Sequence, residues 1–600
     1  MLKADVVVIG GGHAGIEAAH AAASLGAKVV MTIPNPEKIG LMPCNPAIGG
    51  PGKSQLVFEL QALGGVMGRL ADQAAIHTRT LNESKGPAVR SLRVQNGRDE
   101  YAKIARHLVE GIPGIEIIRG EVATLETEQT KGLKLKGITL TDGRTIETSA
   151  AVLCTGTFLA GVVWYGTNKR EAGRQGEPPA RHLSKSLRDT GHKLVRFKTG
   201  TPPRIRAQSV DFSVLSVVNA ESPPKSFSGQ PGPNAGSSAT WITHTTTETH
   251  ALIEDNLHKS AMYGGMVEGQ GPRYCPSIED KVVRFADKDR HLLFVEPDGL
   301  ETSEVYLQGF SSSMPPNLQD DMIRTLPGFE SAEIHRYAYA VEYDALDPTG
   351  LDVTLMSKVV EGLFSAGQIN GTSGYEEAAA QGLVAGVNSA RFSQNQEPVW
   401  IPRTEGYIGV LLDDLVRWGI DEPYRMLTSR NEYRLHHRQD NAAERLTETG
   451  YSWGLVEKRV LDQEIEKTAR IHKELERLKA VHYKGKTGLS ILCRPKHTYK
   501  MVTEIVGLPE NQLNEDEIGR LEVLARYSPY ITRAMNHLKG RSKFEGLVLE
   551  GIDYWHVPSM SSEGSEVLQK HKPRTLGAAQ RLRGVRDSDI TALLVHLRAR

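Results

Sequence analysis

The residues with the clearest chemical meaning in this sequence form a glycine-rich turn near the start of the chain. The turn follows the pattern G-x-G-x-x-G and consists of Gly10, Gly11, Gly12, His13, Ala14 and Gly15. An apolar run at 5–9 precedes it and an alanine-rich run at 14–25 follows it, which predicts a buried strand, a turn and a helix. In that setting the glycines permit a tight turn, a close backbone approach to pyrophosphate, and close packing of helix on strand. Since a helix N-terminus attracts anions, the turn predicts a dinucleotide-binding site.

One part of the dinucleotide fingerprint departs from its usual form. An acidic residue normally closes the second strand about 20 residues further on and binds a ribose hydroxyl. Here the second strand is predicted at 27–31, and Thr32, or a neighbour in the loop to Glu37, takes that place. A threonine hydroxyl can still form the hydrogen bond, so we expect binding without the charge.

Two later segments favour FAD over NAD as the dinucleotide. A second apolar strand at 151–154 ends in Thr155-Gly156-Thr157, a pattern typical of two-dinucleotide flavoproteins. A third, at 362–368, resembles their late FAD motif, with Gln368 in place of the usual aspartate. A Gln there could hydrogen-bond the ribityl chain without charge. The three segments in this order predict a flavoprotein.

Length and composition set the frame for these motifs. The chain has 600 residues, which predicts two to four domains, and its 72 Lys and Arg equal its 72 Asp and Glu. The chain therefore has no net positive charge to attract nucleic acid, and any basic surface must be local. Four cysteines without paired spacing exclude a disulfide framework or a CxxC zinc site, and we expect no metal. No signal-like N-terminus or run of 18 apolar residues occurs, so we expect a cytoplasmic protein without a membrane span.

The pattern along the chain predicts an α/β fold in which a split Rossmann-like FAD-binding domain contains an inserted α+β domain and is followed by an all-helical C-terminal domain. The insertion begins where proline, glycine and aromatic residues become dense, and amphipathic spacing from about 456 to 478 marks the helical part. A strong turn signal at Asp142-Gly143 predicts a hairpin before the strand at 151–154. The predicted segments are 1–204 (FAD-binding, first part), 205–349 (NAD or substrate), 350–404 (FAD-binding, second part), 405–550 (helical) and 551–600 (C-terminal helical).

Several longer motifs resemble the MnmG (GidA) family of FAD-dependent enzymes that modify the wobble uridine of certain tRNAs. The resemblance covers essentially the whole chain, and its motifs are 44–50 (CNPAIGG), 84–90 (SKGPAVR), 198–204 (KTGTPPR), 271–285 (GPRYCPSIEDKVVRF), 366–382 (AGQINGTSGYEEAAAQG), 422–435 (EPYRMLTSRNEYRL) and 576–585 (LGAAQRLRGV).

The resemblance implies a reaction, cofactors and partners. Family members place an aminomethyl or carboxymethylaminomethyl group on C5 of uridine 34, with carbon from 5,10-methylenetetrahydrofolate and NADH as the flavin reductant. They act with a partner GTPase, MnmE, and the family suggests a homodimer. A cysteine thiolate adding to C6 of uracil would make C5 nucleophilic. Cys44 and Cys275 lie in glycine- and proline-rich loops within the family motifs and are the candidate thiols, although each could be merely a small loop residue near flavin.

The resemblance also assigns binding residues. It places Val122 at the adenine side of FAD, where a plain strand residue is the alternative. It implies NAD contact for the stretch that comprises Gly271, Pro272, Arg273, Tyr274, Cys275, Pro276, Ser277, Ile278, Glu279, Asp280, Lys281, Val282, Val283, Arg284 and Phe285. From its residues alone this stretch is only a polar loop joining helix or strand. Cys154 and Cys493 lie in apolar stretches, and we expect both in the core.

Cationic residues supply the candidate RNA surface. Arg430, Arg434 and Arg438 recur every four residues, which predicts that they share one helical face. Further cations, which would neutralise phosphates rather than read bases, are Arg425, Lys85, Arg90 and Arg93, with a second cluster at Lys572, Arg574, Arg581, Arg583 and Arg586. A solvated helix face paired with acidic residues is the alternative.

Three other functions remain open on the sequence alone. A folate- and FAD-dependent tRNA uracil-5-methyltransferase would share the nucleotide fold but leave the helical region from about 405 unexplained. A small-molecule NADH–flavin oxidoreductase is a second alternative, although the absence of CxxC argues against a disulfide reductase. A flavin-stabilised RNA-binding scaffold is the third.

Overall fold

A computed structural model describes residues 2–269, 271, 276–545, 547–580, 582 and 584–599, with side chains for all of these except 537–545, 587 and 599. The chain divides into two compact units, residues 1–469 and 470–600. None of the described helices is long and apolar enough to cross a membrane.

A parallel five-stranded sheet forms the centre of the first unit. In spatial order its strands are Leu363–Ser365, Ala150–Leu153, Val6–Ile9, Val29–Ile33 and Ile115–Arg119. The middle three are buried along their whole length, as expected of parallel strands covered on both faces. The three strands predicted from apolar runs therefore pair with one another, and the last strand joins them after a long stretch of other structure.

Two helices pack closely over this sheet. His13–Ser24 follows the glycine turn, and Tyr375–Ser393 follows the strand Leu363–Ser365. Cβ atoms built at Gly382 and Gly386 would lie 2.2 and 2.4 Å from the carbonyl oxygens of Ala14 and Ala18. The two backbones can approach this closely only because these positions carry no side chain, which explains the small residues in both helices.

Four further sheets complete the first unit. A mixed sheet contains Leu2–Lys3, Val122–Gln129, Leu133–Leu140, Thr145–Glu147 and Val360–Glu361, and includes the predicted turn at Asp142-Gly143. A three-stranded sheet contains Ala47–Gly49, Ala75–Leu81 and Ser91–Asn96. A four-stranded sheet contains Val162–Tyr165, Asn168–Glu171, Leu194–Thr201 and Tyr339–Leu346. A six-stranded sheet contains Arg204–Arg206, Ser216–Val218, Thr240–His244, Leu292–Pro297, Glu304–Gln308 and Ile334–Arg336.

The six-stranded sheet has an apolar core of its own on one face. Leu293, Val295, Val305 and Leu307 alternate along its two central strands and are buried. The helices that contribute to this core are Thr247–Asp255, Ile278–Arg284 and Pro316–Arg324. The other face of the same strands carries the intervening residues, and several of these face a cavity described below.

The rest of the described chain is mainly helical. The first unit also contains Lys53–Ala62, Met67–Gln73, Arg98–Gly111, Arg181–Asp189, Tyr407–Trp418 and Ala442–Trp453. Lys458–Ala480 confirms the predicted amphipathic helix. Beyond it lie the short strands His482–Tyr483 and Lys486–Thr487 and the helices Gly488–Leu492, Tyr499–Val506, Glu515–Glu545, Ser562–His571, Leu576–Gln580 and Asp587–Ala599.

Candidate functional site

A cavity of about 870 Å³ opens at the carboxyl ends of the parallel strands, where open α/β sheets bind their ligands. The predicted site residues that line it are Gly10, Gly11, Gly12, His13, Ala14, Thr32, Cys44, Val122, Pro276, Lys281, Gln368 and Arg425. The structure thus brings together residues from the glycine turn, the later flavin motifs and the first cysteine loop, which lie far apart in the sequence.

The glycine turn has the geometry that the fingerprint predicts. Gly10 has φ +114°, and a Cβ there would lie 2.3 Å from the carbonyl oxygen of Cys154, which follows the neighbouring strand Ala150–Leu153. Gly15 does not line the cavity; its Cβ would lie 1.9 Å from the carbonyl oxygen of Gly10, so it sets the packing of helix on strand. A Cβ at Gly12 would meet nothing within 4 Å, and no side chain caps the helix that begins after it. The helix N-terminus therefore presents open space to the cavity.

Two threonines leave hydrogen-bonding capacity at this end of the cavity. Thr32 ends the second parallel strand, where the fingerprint expects the ribose-binding residue, and Thr155 follows the strand Ala150–Leu153. Both are buried, and neither Oγ1 has a hydrogen-bond partner among the described residues. A buried hydroxyl without a partner is costly. Both hydroxyls are suited to a polar ligand.

His13 is a neutral base held between aromatic rings. Its Nδ1 lies 3.3 Å from the Tyr101 hydroxyl, and its ring centroid lies 4.4 Å from that of Tyr375. Burial lowers the pKa of His13 to about 4, against the opposing effect of the Glu376 carboxylate. At neutral pH the imidazole is therefore uncharged, and it can exchange hydrogen bonds with a ligand without adding a cation.

Cys44 lies in the middle of the cavity wall in a fixed backbone position. Its N–H donates to the Tyr375 hydroxyl at 2.8 Å, and its carbonyl accepts from Nη2 of the buried Arg204 at 2.5 Å. Its Sγ lies 3.7 Å from the Tyr306 hydroxyl. Arg204 also stacks over the Tyr306 ring, 4.7 Å from its centroid. These contacts hold the thiol at the cavity and beside a phenol.

A buried ion cluster, which the sequence reasoning missed, supports the floor of the cavity. Lys53 Nζ donates to Glu376 Oε2 at 2.7 Å and to Glu377 Oε2 at 2.9 Å. Glu376 Oε1 accepts from the N–H of Gly49 at 2.7 Å. Burial acts to raise the pKa of Glu376, but Lys53 outweighs it and holds that pKa below its ordinary value. The consecutive glutamates in the motif at 366–382 are the signal that could have indicated this cluster.

A second polar group comes from the three-stranded and six-stranded sheets, and the sequence reasoning found only one of its members. Arg93, predicted as a phosphate-neutralising cation, donates from Nη2 to Glu296 Oε1 at 2.7 Å and to Gln308 Oε1 at 3.1 Å. Glu296 and Gln308 line the cavity from the six-stranded sheet. The prediction that Arg93 is available to the RNA backbone is therefore wrong in this structure, since its guanidinium is engaged inside the cavity.

Comparison with known proteins decides the family. A model described as glucose inhibited division protein A matches residues 5–397. Models described as the C-terminal helical domain and the C-terminal helical bundle of tRNA modifying enzyme MnmG/GidA match residues 455–535 and 542–600. The chain belongs to the MnmG/GidA family of FAD-dependent tRNA-modifying enzymes.

Full-length relatives and a solved structure agree with this family membership. The tRNA uridine 5-carboxymethylaminomethyl modification enzyme MnmG of Thermus thermophilus is 59% identical over 595 residues, 99% of each chain. The Bacillus cereus enzyme of the same name is 43% identical over 614 residues, covering 99% of this chain and 97% of its own. The structure of Aquifex aeolicus GidA matches with a TM-score of 0.88 and 42% identity, over 99% of this chain and 100% of that one. The mixed α/β fold with C-terminal helices is thereby confirmed.

The residues present fit the FAD that MnmG/GidA proteins use. A dinucleotide needs an anion site at an uncapped helix N-terminus, room beside the second glycine, and a hydrogen-bonding group at the end of the second strand. The open space at Gly12 and the unpartnered hydroxyl of Thr32 provide the last two. Val122 is buried and Gln368 half-buried, and both line the same cavity.

The stretch assigned to NAD by resemblance is only partly described. Pro272, Arg273, Tyr274 and Cys275 lie outside the described residues, so the second candidate thiol has no structural account. From Ile278 to Arg284 the stretch is a helix with a capping box between Ser277 and Asp280, so the expectation of a plain polar loop is wrong there. Ile278 and Val282 belong to the core, whereas Val283 and Phe285 are exposed.

The prediction that Arg430, Arg434 and Arg438 share one helical face is also wrong. Between the helices Tyr407–Trp418 and Ala442–Trp453 the structure has no α-helix, only the single-turn 3-10 helices Thr428–Arg430 and Gln439–Asn441. Arg438 is buried and pairs with Asp440 at 3.0 Å, so it cannot present its guanidinium to RNA. Arg434 is exposed, and Arg430 is half-buried over the Tyr424 ring, 4.4 Å from its centroid.

Two cysteines test the packing expectation. Cys154 is buried, which confirms the predicted core position, and burial raises the pKa of its thiol. Cys493 is exposed, so its predicted core position is wrong. It follows the last turn of the helix Gly488–Leu492, where Ile491 and Leu492 occupy the core instead. In the C-terminal basic cluster, Arg581 and Arg583 lie outside the described residues.

Proposed function

We propose that this protein modifies C5 of wobble uridine 34 in tRNA, adding an aminomethyl or carboxymethylaminomethyl group with FAD, NADH and 5,10-methylenetetrahydrofolate. The observation that carries the proposal is a single cavity in which a dinucleotide-type glycine turn and Cys44 face the same space. A fold that binds only a flavin has no need for a thiol fixed by three neighbouring side chains. The names of the relatives, which specify tRNA uridine modification, support the same reaction.

The residues that would hold FAD are those of the glycine turn with Thr32, Val122 and Gln368. The N–H groups at the start of His13–Ser24 would bind the pyrophosphate, and Thr32 would hydrogen-bond the ribose hydroxyl. When bound, FAD supplies the redox capacity that fixes a one-carbon unit on the base. His13 stays neutral beside it because burial keeps its pKa about 4, and the aromatic rings around it exclude water.

Cys44 is proposed as the nucleophile that prepares the base. As a thiolate its sulfur forms a bond to C6 of uracil, and the C5–C6 electron pair moves toward C5 and the C4 carbonyl oxygen. The C5 electron pair would then bond to the CH2=N⁺ carbon derived from 5,10-methylenetetrahydrofolate while the C=N π pair moves to its nitrogen. A base would take the C5 proton, and the freed pair would restore the C5–C6 double bond as the thiolate leaves C6. The Tyr306 hydroxyl, 3.7 Å from Sγ, is placed to hydrogen-bond the sulfur in either state.

The remaining assignments belong to the same proposal. NADH would contact the stretch 271–285, whose Pro276 and Lys281 line the cavity. The tRNA backbone would meet Arg425, at the cavity, and the exposed Arg434. We propose a homodimer that acts with the GTPase MnmE in the cytoplasm, on the support of family membership.

The test is nucleoside mass spectrometry of tRNA from a host that lacks the gene. We expect the modified wobble uridines to disappear and to return when the wild-type gene, but not its Cys44→Ser variant, is restored. Loss of 5-methyluridine with unchanged wobble nucleosides would instead assign the protein as a tRNA uracil methyltransferase and refute the proposal. Purified Cys44→Ser protein that retains FAD absorbance provides the control for folding.

A further inference from the structure

Two antiparallel sheets contribute side chains to the lining of the cavity. From the three-stranded sheet, His77, Arg93 and Gln95 line it. From the six-stranded sheet, the lining residues are Thr240, Phe294, Glu296, Tyr306 and Gln308. Phe294 pairs across the strands with Gln308, and Glu296 with Tyr306, so these four share one face of the sheet. Their neighbours on the opposite face form the apolar core of the sheet.

This face is unusual because it is buried and yet polar. Thr240, Glu296 and Tyr306 are each buried, as are His77 and Gln95 on the facing sheet. A sheet that only packed against another sheet would place apolar side chains here. Polar groups that are costly to bury are instead collected on both walls of one cavity, which points to a ligand that they recognise.

Some hydrogen-bonding groups of these walls are paired with one another, and others remain available to a ligand. Glu296 Oε1 accepts from Arg93 Nη2 at 2.7 Å, while Glu296 Oε2 has no partner among the described residues. Gln308 Oε1 accepts from the same Arg93 nitrogen at 3.1 Å. Gln95 Nε2 already donates to the Pro297 carbonyl at 2.7 Å. The walls therefore combine an unsatisfied carboxylate acceptor with the donors of an arginine and an amide.

The chemistry of that pattern identifies the ligand class. A carboxylate repels phosphates and carboxylates, so the unpartnered Oε2 of Glu296 favours a hydrogen-bond donor over an anion. A carboxylate with an adjacent donor matches a ring N–H beside a carbonyl, and Phe294 and Tyr306 offer aromatic surface to a flat ring. A pyrimidinone ring has both features, and uracil and the pterin of a folate each contain one.

We propose that Glu296, Arg93 and Gln308 form a subsite for a pyrimidinone ring, with the ring N3–H donated to Glu296 and its C4 carbonyl receiving a hydrogen bond from Arg93 or Gln308. The ring would lie on the wall formed by Phe294 and Tyr306. The choice between uracil and pterin rests on the proposed function, which supplies both, whereas the subsite itself rests on the two walls of the cavity. Glu296 is then a specificity residue for the ring.

The test compares Glu296→Gln with Glu301→Gln in the FAD-loaded protein. Glutamine keeps the shape of Glu296 and an acceptor for Arg93, while Glu301 is exposed on the loop between the same two strands and serves as the matched control. Calorimetric titrations use two probes, 5-formyltetrahydrofolate and an RNA anticodon stem-loop with uridine at the wobble position. A second stem-loop carries 3-methyluridine at that position, which lacks the ring N–H.

We expect Glu296→Gln to weaken one of the two probes by ~10- to 100-fold, as for a hydrogen bond to a charged group, with FAD content unchanged. Glu301→Gln should bind as the wild type does. If the stem-loop is the affected probe, the wild type should bind the 3-methyluridine stem-loop more weakly than the uridine stem-loop by a similar factor. Glu296→Gln should bind the two stem-loops about equally. If the folate is affected, the ring is the pterin. Unchanged affinity for both probes, or no binding of either probe to the wild type, would overturn the subsite.

The outcome is separable from the proposed function. Loss of wobble nucleosides in the deletion host, together with Glu296-independent binding of both probes, would retain the function and reject the subsite. Unchanged wobble nucleosides, together with Glu296-dependent binding of one probe, would retain the subsite and reject the function.

Discussion

Replacing Gly12 or Gly15 of the glycine turn by alanine should have different effects: the first should weaken ligand binding and the second should lower stability. In Gly12→Ala the new methyl group meets nothing within 4 Å, and φ of −78° suits alanine. Alanine is a poorer residue than glycine at a helix N-cap, so we expect the unliganded protein to lose at most ~1 kcal/mol. If the open space receives a pyrophosphate, the same methyl group obstructs the close backbone approach, and FAD affinity should fall at least ~10-fold.

Gly15→Ala should act in the opposite way. Its Cβ would lie 1.9 Å from the carbonyl oxygen of Gly10 and 2.9 Å from the carbonyl carbon, both of which are backbone atoms. The helix would have to move away from the strand, and overpacking of this kind costs ~3 kcal/mol. We therefore expect lower thermal stability even without FAD. Gly111→Ala is the matched control, because Gly111 is exposed at a helix end with nothing within 4 Å.

The assay measures two quantities on each variant: the melting temperature of the unliganded protein by scanning calorimetry, and FAD affinity by titration of flavin fluorescence. The expected result is a melting temperature near that of the wild type with weakened FAD binding for Gly12→Ala, and a lowered melting temperature for Gly15→Ala. An FAD dissociation constant for Gly12→Ala within twofold of the values for wild type and Gly111→Ala would refute the assignment of this space to the cofactor.

Three further predictions concern charged groups. Lys53→Met leaves Glu376 and Glu377 buried without their cation, so the free energy of unfolding should fall by about 3–5 kcal/mol. Without Lys53, burial raises the pKa of Glu376, so the loss should be greater at pH 8 than at pH 5.5; equal losses at both pH values in thermal scans would contradict this. Burial raises the pKa of Glu17 to about 7, so the protonated Glu17 stabilises the fold at low pH and this stabilisation is lost as the pH rises through 7. Relative to Glu17→Gln, the wild type should lose ~2 kcal/mol of unfolding free energy between pH 5.5 and pH 8 in denaturant titrations. Parallel pH profiles for the two proteins would count against this prediction. Arg434→Ala should weaken tRNA binding and reduce the slope of log affinity against log salt concentration by about 1, without changing stability. Arg438→Ala should instead lower the melting temperature, because Arg438 is buried. Reversed effects would show that exposure does not decide the roles of these two arginines.

Local patterns were sufficient for the strands and helices of the nucleotide fold. The apolar runs at 5–9, 151–154 and 362–368 all form parallel strands, because strands buried on both faces must be continuously apolar. The spacing from 456 to 478 likewise gives the helix Lys458–Ala480, since its apolar stripe has a helical period.

Spacing alone failed where local side-chain contacts override the helical pattern. The four-residue recurrence of arginines at 430–438 satisfies a helical pattern, but this segment is fixed by pairs such as Arg438 with Asp440 and by packing of Arg430 on Tyr424. A single position cannot reveal whether its charge faces solvent or a buried partner. The core position predicted for Cys493 is wrong because its apolar neighbours Ile491 and Leu492 occupy the core and leave Cys493 exposed.

The sequence by itself determined the glycine turn, its strand and helix, and the family, because these depend on short-range order and on long matching motifs. Only the tertiary structure decided that Lys53 is neutralised by Glu376 and Glu377, and that Arg93 meets Glu296 and Gln308 across the cavity. The latter partners are separated by about 200 positions along the chain and come from two different sheets. Such pairs leave no periodic trace in the sequence, because sheet packing, and not spacing along the chain, brings them within hydrogen-bonding distance.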